Sequence, residues 1–325
     1  MASVCLLKPV RWSIWSISWF IKNRPSSILR GVQFRKISII GVGLLGGSIG
    51  LAVRQRRLVG EVAGFVRRQT SLQDCEQAGA VDYATTDLLA AVSKADLVIL
   101  CTPLAQMRAL VRQFLPALER GAIVTDVGSV KAGVVRELEP LVARSGGFFV
   151  GSHPMAGSEK TGVLAARPEL YQGTVCVITP TKKSHSSSVR RLEQFWKMLG
   201  ARTLRLAPAQ HDLLVSRTSH LPHVAAAALA GLVLDPRHPK SQTDLCASGF
   251  RDTTRIASGS PEMWRDIVMA NHRNLSRSVD KLVAELKKFQ TALQNGNVKA
   301  VECFLNQAKV RRDRWSSEAK ILSSK

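Results

Sequence analysis

His153, in the run FFVGSHP, is the residue of this chain best suited to move a proton. An imidazole titrates near neutrality and can take a proton from an alcohol while hydride leaves the same carbon. Two more polar clusters follow strand-like runs: Cys101, Thr102 and Pro103 after DLVIL, and Gly128, Ser129, Val130 and Lys131 after AIVTD. Ligands of open α/β sheets sit beyond the carboxyl ends of the strands, so these clusters would share one crevice, with Ser129 orienting His153. Later, SRTSHLPH places Ser219 and His223 four apart, on one helical face, with His220 beside them. Pro222 would disturb the local backbone bonding, and such a break can line a cavity. No third ligand cluster accompanies His220 and His223, so no metal site is expected. In GFRDTTR, Asp252 and Arg255 are three apart. That arginine could clamp a carboxylate with two parallel hydrogen bonds, Asp252 holding or gating it.

The other readable chemistry is phosphate binding. After the strand-like KISII comes GVGLLGGSIG, in which Gly41, Gly43 and Gly46 form GxGxxG around Leu44 and Leu45, and Ser48 to Val53 reads as a helix. The first glycine permits a tight turn, the second lets backbone approach a pyrophosphate, and the third lets helix and strand pack closely. The helix N-terminus then faces an anion. Twenty residues beyond Gly46, where an acid would meet the ribose hydroxyls of NAD, stand Val66, Arg67 and Arg68. Two guanidinium groups there suit a 2′-phosphate, which favours NADP over NAD.

The elements that must position these groups are readable too. From Lys36, the runs KISIIGVG, EVAGFV, DLVILCTP, AIVTDVG, FFVGSHP and TVCVITP alternate with amphipathic stretches. That succession predicts a parallel sheet covered on both faces, a Rossmann-type α/β domain over 36–207. From Pro208 helical periodicity takes over, predicting an all-α domain over 208–325. One helix is expected from Ser260 and Pro261 through Leu275, Val279, Leu282, Val283, Leu286, Phe289 and Leu293. It would be roughly 50 Å long, more than a small domain covers, so a partner subunit is the natural cover.

The chain has 325 residues, 45% of them hydrophobic, which supports two cored domains and excludes disorder, collagen and a coiled-coil rod. Its 46 basic and 24 acidic residues give a net charge of +22. Such an excess suits nucleic acid, an acidic membrane surface or small anions. Here the cations are dispersed and no recognition motif appears, so nucleic acid is not expected. Six singly spread cysteines indicate neither a disulfide framework nor a zinc ribbon, and point to a reduced cytoplasm. Residues 1–35 carry no acid, and their apolar run from Trp12 to Ile21 is too short for stable membrane insertion. They read as a basic extension outside the core.

GVGLLGGSIG, LCTP, TDVGSVK, GSHPMAGSEKTGV, HDLLVSRTSHLPH and GFRDTTRIASGSPEMWRDI, taken together and in this order, closely resemble the prephenate and arogenate dehydrogenase family of tyrosine biosynthesis. The resemblance spans nearly everything from Lys36 to about residue 295 and implies a Rossmann domain followed by a helical dimerisation domain. It implies that His153 deprotonates the ring hydroxyl of prephenate or arogenate and that Ser129 bonds the same region. Arg255 would grip the ring carboxylate, with Asp252 as its partner, while His223 and Ser219 contact the substrate side chain. Glu159 would be an acidic position near the site. The implied reaction is oxidative decarboxylation with hydride transfer to NAD(P), prephenate being favoured over arogenate. Rival readings are another Rossmann dehydrogenase with a helical dimer domain, and a non-catalytic NADP-binding sensor or nucleic-acid-binding module.

Overall fold

The β-branched runs of the first half form strands because each is bounded by polar or glycine-rich turns and buried on both faces. The structure, a computed structural model, describes residues 33–158 and 160–323. Strands and helices alternate through β1 (Phe34–Ile40), α1 (Leu44–Gln55), β2 (Val59–Phe65), α2 (Thr70–Ala78), β3 (Tyr83–Thr85), α3 (Leu88–Val92), β4 (Leu97–Leu100), α4 (Leu104–Phe114), β5 (Ile123–Asp126), α5 (Ala132–Ala143) and β6 (Phe148–Phe149). The six strands pair in parallel in the order β3-β2-β1-β4-β5-β6. This order places a topological switch point between β1 and β4, where dinucleotides bind. β4 and β5 are buried at every residue, as central parallel strands must be.

Two expectations for the first half are corrected by the structure. FFVGSHP is not one strand of one sheet: Val150 still donates its N–H to Val124 O, but the N–H of Ser152 goes to the Asp126 side chain and its hydroxyl to Asp126 O. The chain therefore leaves the main sheet and starts β7 (Gly151–Pro154), which pairs antiparallel with β8 (Val175–Thr179). After α6 (Ser186–Met198), β9 (Arg202–Arg205) joins β8 in parallel, completing a second, three-stranded sheet. The core also begins before Lys36, since Phe34 and Arg35 open β1 and Gln33 exchanges hydrogen bonds with Arg191. The remainder of the basic extension, residues 1–32, lies outside the described residues.

The second half is helical: α7 (Pro208–Val215), a π-turn (Ser216–His220), α8 (Leu221–Val233), α9 (Lys240–Asp244), α10 (Ser248–Thr254), a 3-10 turn (Arg255–Ser258), α11 (Pro261–Ala270), α12 (His272–Gln294) and α13 (Val298–Ser323). The expected single 50 Å helix is thus two, broken at Asn271 (φ −117°, ψ 23°), whose buried side chain is bound by α7 and the π-turn. α12 alone has 23 residues, roughly 35 Å at 1.5 Å per residue. It leaves Val283, Leu286 and Leu293 exposed, and α13 does the same with Leu305 and Val310. No helix among the described residues is long and apolar enough to cross a membrane.

Candidate active site

The β1–α1 turn has the shape its glycines suggest. Gly41 has φ +98°, and a Cβ there would fall 2.9 Å from Cys101 O. A Cβ on Gly46 would meet Gly41 O at 2.4 Å and Ile39 at 2.8 Å, whereas one on Gly43 would meet nothing within 4 Å. The second glycine is thus the one whose space is left for a ligand. The helix it opens starts at Leu44, earlier than the Ser48 expected, with no side chain capping its N-terminus. Leu44 and Leu45 are half-buried on its first turn, and Leu45 O accepts from the Tyr171 hydroxyl. Across the switch point, Thr102 buries a hydroxyl with no partner among the described residues, and Pro103 precedes α4. Arg67 and Arg68 are exposed just beyond β2. An uncapped helix end, an open glycine and an orphaned hydroxyl fit a bound dinucleotide.

His153 lies on β7, 7% exposed, and its Nδ1 is 2.8 Å from His211 Nε2. The other ring nitrogen of His211, Nδ1, is 2.8 Å from Asp212 Oδ1. That carboxylate also accepts the backbone N–H of Lys131 at 2.7 Å and of Ala132 at 2.9 Å, closing the N-terminus of α5. The carboxylate only accepts, so His211 carries its proton on Nδ1 and presents a lone pair at Nε2. His153 must then donate from Nδ1, which leaves its own Nε2 unprotonated. The chain Asp212–His211–His153 therefore leaves His153 Nε2 unprotonated, with two members from the helical half and one from the sheet half. The partner of His153 Nδ1 is His211 rather than Ser129, the residue the sequence suggested for orienting the ring. Ser129 sits half-buried in the β5–α5 turn.

Burial pushes the His153 pKa well below the ordinary 6.5, helped by His211, Lys131 and His220. Lys131 is itself fully buried, paired with Asp126 and donating to Ser152 O at 2.9 Å. His153 is thus free to accept a proton throughout the neutral range.

On the helical side the π-turn replaces the regular face expected for Ser219 and His223. Pro222 has no N–H and its ring would clash with the carbonyl four residues back, and the wider turn relieves both. Ser216 anchors it, with its hydroxyl 3.0 Å from that of Ser278 on α12. Ser219 is half-buried. His223 is 7% exposed and stacks on Trp264, ring centroids 3.5 Å apart and planes 12° from parallel. Gly259 allows this approach, since a Cβ there would lie 2.6 Å from the indole Nε1. His220 is fully buried, its Nδ1 3.2 Å from the Asn271 amide. Asp252 on α10 and Arg255 on the following turn are exposed, and that turn packs against α8. Glu159 lies outside the described residues.

An unprotonated imidazole nitrogen next to the carboxyl end of β5, with helical imidazoles around it, invites comparison with known proteins. A family model described as the nucleotide-binding domain of prephenate dehydrogenase matches residues 49–205, and its dimerization domain matches residues 207–307. The chain belongs to the prephenate dehydrogenase family. It is 33% identical over 283 residues to the cyclohexadienyl dehydrogenase of Zymomonas mobilis, covering 86% of this chain and 95% of that protein. It is 33% identical over 282 residues to the prephenate dehydrogenase of Bacillus subtilis, covering 85% of this chain and 75% of that one. Its structure is similar to that of Aquifex aeolicus prephenate dehydrogenase in complex with hydroxyphenyl propionate and NAD+, with a TM-score of 0.80 and 30% identity over 86% of this chain and 98% of that one.

For this member of the prephenate dehydrogenase family, sequence reasoning singled out Lys131 within the cluster after AIVTD but gave no part to His211, Asp212, Asn271 or Trp264. The adjacent histidine and aspartate three residues after Pro208 were the available signal. A cleft of about 670 Å³, walled by Arg136, Arg144, Lys182 and Lys183, shares no residue with the imidazole cluster.

Burial also pushes His220 down to about 4. An unfolded chain binds this proton below about 6.5 while the fold refuses it down to about 4, so stability rises with pH across that window and is lost as pH falls through it. The expected loss from His220 is on the order of 3 kcal/mol, and His153 adds in the same direction. Urea midpoints measured from pH 7.5 to pH 4 should fall steadily; a flat profile would contradict this burial of neutral imidazoles.

Proposed function

We propose that this protein is a prephenate dehydrogenase, converting prephenate to 4-hydroxyphenylpyruvate and CO2 with NAD(P)+. The single observation that carries the reading is the Asp212–His211–His153 chain, which leaves His153 Nε2 unprotonated. Gly41, Gly43, Gly46 and the first turn of α1 would hold the pyrophosphate, with Leu44, Leu45, Thr102 and Pro103 lining the cleft. Bound nicotinamide supplies the hydride acceptor. His153 Nε2 takes the ring hydroxyl proton, with Ser129 bonding the same hydroxyl. Arg255, partnered by Asp252, holds the ring carboxylate until its carbon–carbon bond breaks and CO2 leaves. The electrons of that bond make the ring aromatic, and His153 returns the proton to the ring oxygen. His223 and Ser219 contact the substrate side chain, and Glu159 borders the site. Aromatisation drives the step, so alignment and one proton transfer are what the protein must provide.

Assays pairing prephenate or arogenate with NAD+ or NADP+ test the reading: reduced nicotinamide and CO2 from prephenate are expected, and turnover of neither substrate defeats it. Arogenate is the second reading, supported by the similarity to the Synechocystis arogenate dehydrogenase, with a TM-score of 0.73 and 30% identity. Arg67 and Arg68 support a preference for NADP+. Arg67→Ala should raise the KM for NADP+ about tenfold more than that for NAD+, the worth of one charge-assisted hydrogen bond. Equal effects on the two would remove phosphate recognition from Arg67.

The uncovered apolar residues of α12 and α13 and the match to a dimerization domain support a homodimer through the C-terminal helices. The free thiols of Cys75, Cys101, Cys176, Cys246 and Cys303 support a cytoplasmic location.

A further inference from the structure

His220 is a buried donor with no acceptor among the described residues. The proton positions follow from its neighbours. Asn271 Nδ2 lies 2.8 Å from the backbone carbonyl of Asp212, which can only accept, so that atom is the amide nitrogen. Asn271 Oδ1 accepts from Asn274 Nδ2 at 2.9 Å, which agrees. The second hydrogen of Asn271 Nδ2 is then directed at His220 Nδ1, 3.2 Å away. Nδ1 is therefore an acceptor, and a neutral imidazole carries its one proton on the other nitrogen. That nitrogen, Nε2, is buried and has no hydrogen-bond partner among the described residues.

The nearest ring offers little. Trp264 stands edge to face with His220 at 6.2 Å between centroids, and an aromatic face is a second-order acceptor in any case. A buried N–H left unpaired is costly and calls for an explanation. Its surroundings supply one. His220 ends a π-turn, a distortion frequent at functional sites. It lies close enough to His153 to perturb it electrostatically, and it sits between Ser219 and His223 in the chain. His223 likewise buries an Nδ1 that has no partner among the described residues.

We infer that His220 Nε2–H is a substrate-binding donor, reserved for a carboxylate oxygen of the substrate side chain. The inference rests on the dehydrogenase reading above and adds a contact to it. Because burial keeps this imidazole neutral, the contact is a directed hydrogen bond rather than an ion pair, and a site built to donate discriminates against ligands lacking the acceptor.

Two substitutions separate the two nitrogens. His220→Asn keeps an acceptor near Nδ1 for Asn271 but removes the distal donor. His220→Gln loses the first and places an amide N–H near Nε2. Binding of hydroxyphenyl propionate to the NAD+-loaded protein, read by calorimetry, should weaken tenfold or more in His220→Asn and less than threefold in His220→Gln. The KM for prephenate should rise in parallel, with kcat and the Kd for NAD+ changed less than threefold. Equal binding by His220→Asn and the unaltered protein overturns the inference while leaving the dehydrogenase reading intact. Absence of binding and turnover by the unaltered protein defeats the reading and the inference together. Long-range nitrogen–proton NMR of protein labelled at histidine nitrogens needs no variant. It should show His220 protonated at Nε2, with that signal shifting on addition of hydroxyphenyl propionate. A proton on Nδ1, or an unmoved signal at saturation, overturns the assignment.

Discussion

His153→Asn is expected to lower kcat by about 10³-fold, within the 10²–10⁴ that a positioned general base contributes, while leaving dinucleotide affinity unchanged. The substitution is selective because of which nitrogen it keeps. The asparagine amide can occupy the position of Nδ1 and donate to His211 Nε2, as the imidazole does across 2.8 Å. The link to Asp212 therefore survives, and β7 keeps its pairing with β8 through backbone bonds alone. What disappears is Nε2, the atom left free to take the hydroxyl proton. The glycine turn belongs to the β1–α1 connection and does not include this residue. Single-turnover rates and a fluorescence titration with reduced dinucleotide separate the two effects. A kcat within threefold of the unaltered protein would remove His153 from the chemistry, whatever happened to KM.

The pH profile belongs to the same argument. Because burial holds His153 well below 6.5, the acid limb of kcat/KM should fall below the ordinary imidazole range. An acid limb at or above 6.5 would mean that the titrating base is another group.

The parts of this site that were legible in the sequence are those where the backbone itself demands a residue type. Gly41 must take a positive φ and Gly46 must admit Gly41 O, so the glycine spacing spells out the turn. His153 was legible by position, as a polar residue where a strand-like run ends. FFVGSHP was misread because an apolar run looks the same whether its residues pair in one sheet or two. Here the division is made by the Asp126 side chain, 26 residues away in sequence. The break at Asn271 was hidden likewise, since apolar residues recur at helical spacing on both sides of it. Only the contacts of Asn271 with Asp212 and His220, more than fifty residues distant, explain why the helix stops there. His211 and Asp212 look like an ordinary polar first turn after Pro208. Their role appears once α7 is packed against β8 and the start of α5.

Asp212→Asn should lower kcat by 10²–10⁴-fold with a much smaller change in substrate KM, the amide acting through proton position rather than through contact with the substrate. The carboxylate accepts three N–H groups, from Lys131, Ala132 and His211. An amide has one accepting oxygen, and the N–H groups at the start of α5 are fixed. Oδ1 meets both the Lys131 N–H and His211 Nδ1 while Oδ2 meets the Ala132 N–H, so an amide whose oxygen keeps the Ala132 N–H gives up the Lys131 bond and turns its N–H2 to His211 Nδ1, which must become an acceptor. His211 then carries its proton on Nε2 and donates to His153 Nδ1, so the proton of His153 moves to Nε2 and the base becomes a donor. The same reversal at the aspartate of the serine protease triad costs about 10⁴ in rate. A purely structural role predicts something different: loss of the helix cap costs about 1 kcal/mol, lowering the unfolding midpoint without reversing the imidazoles. Histidine nitrogen NMR distinguishes the two, because reversal moves the protons of both His211 and His153. If Asp212→Asn leaves those protons in place and kcat intact while lowering the melting temperature, Asp212 caps α5 and does nothing more.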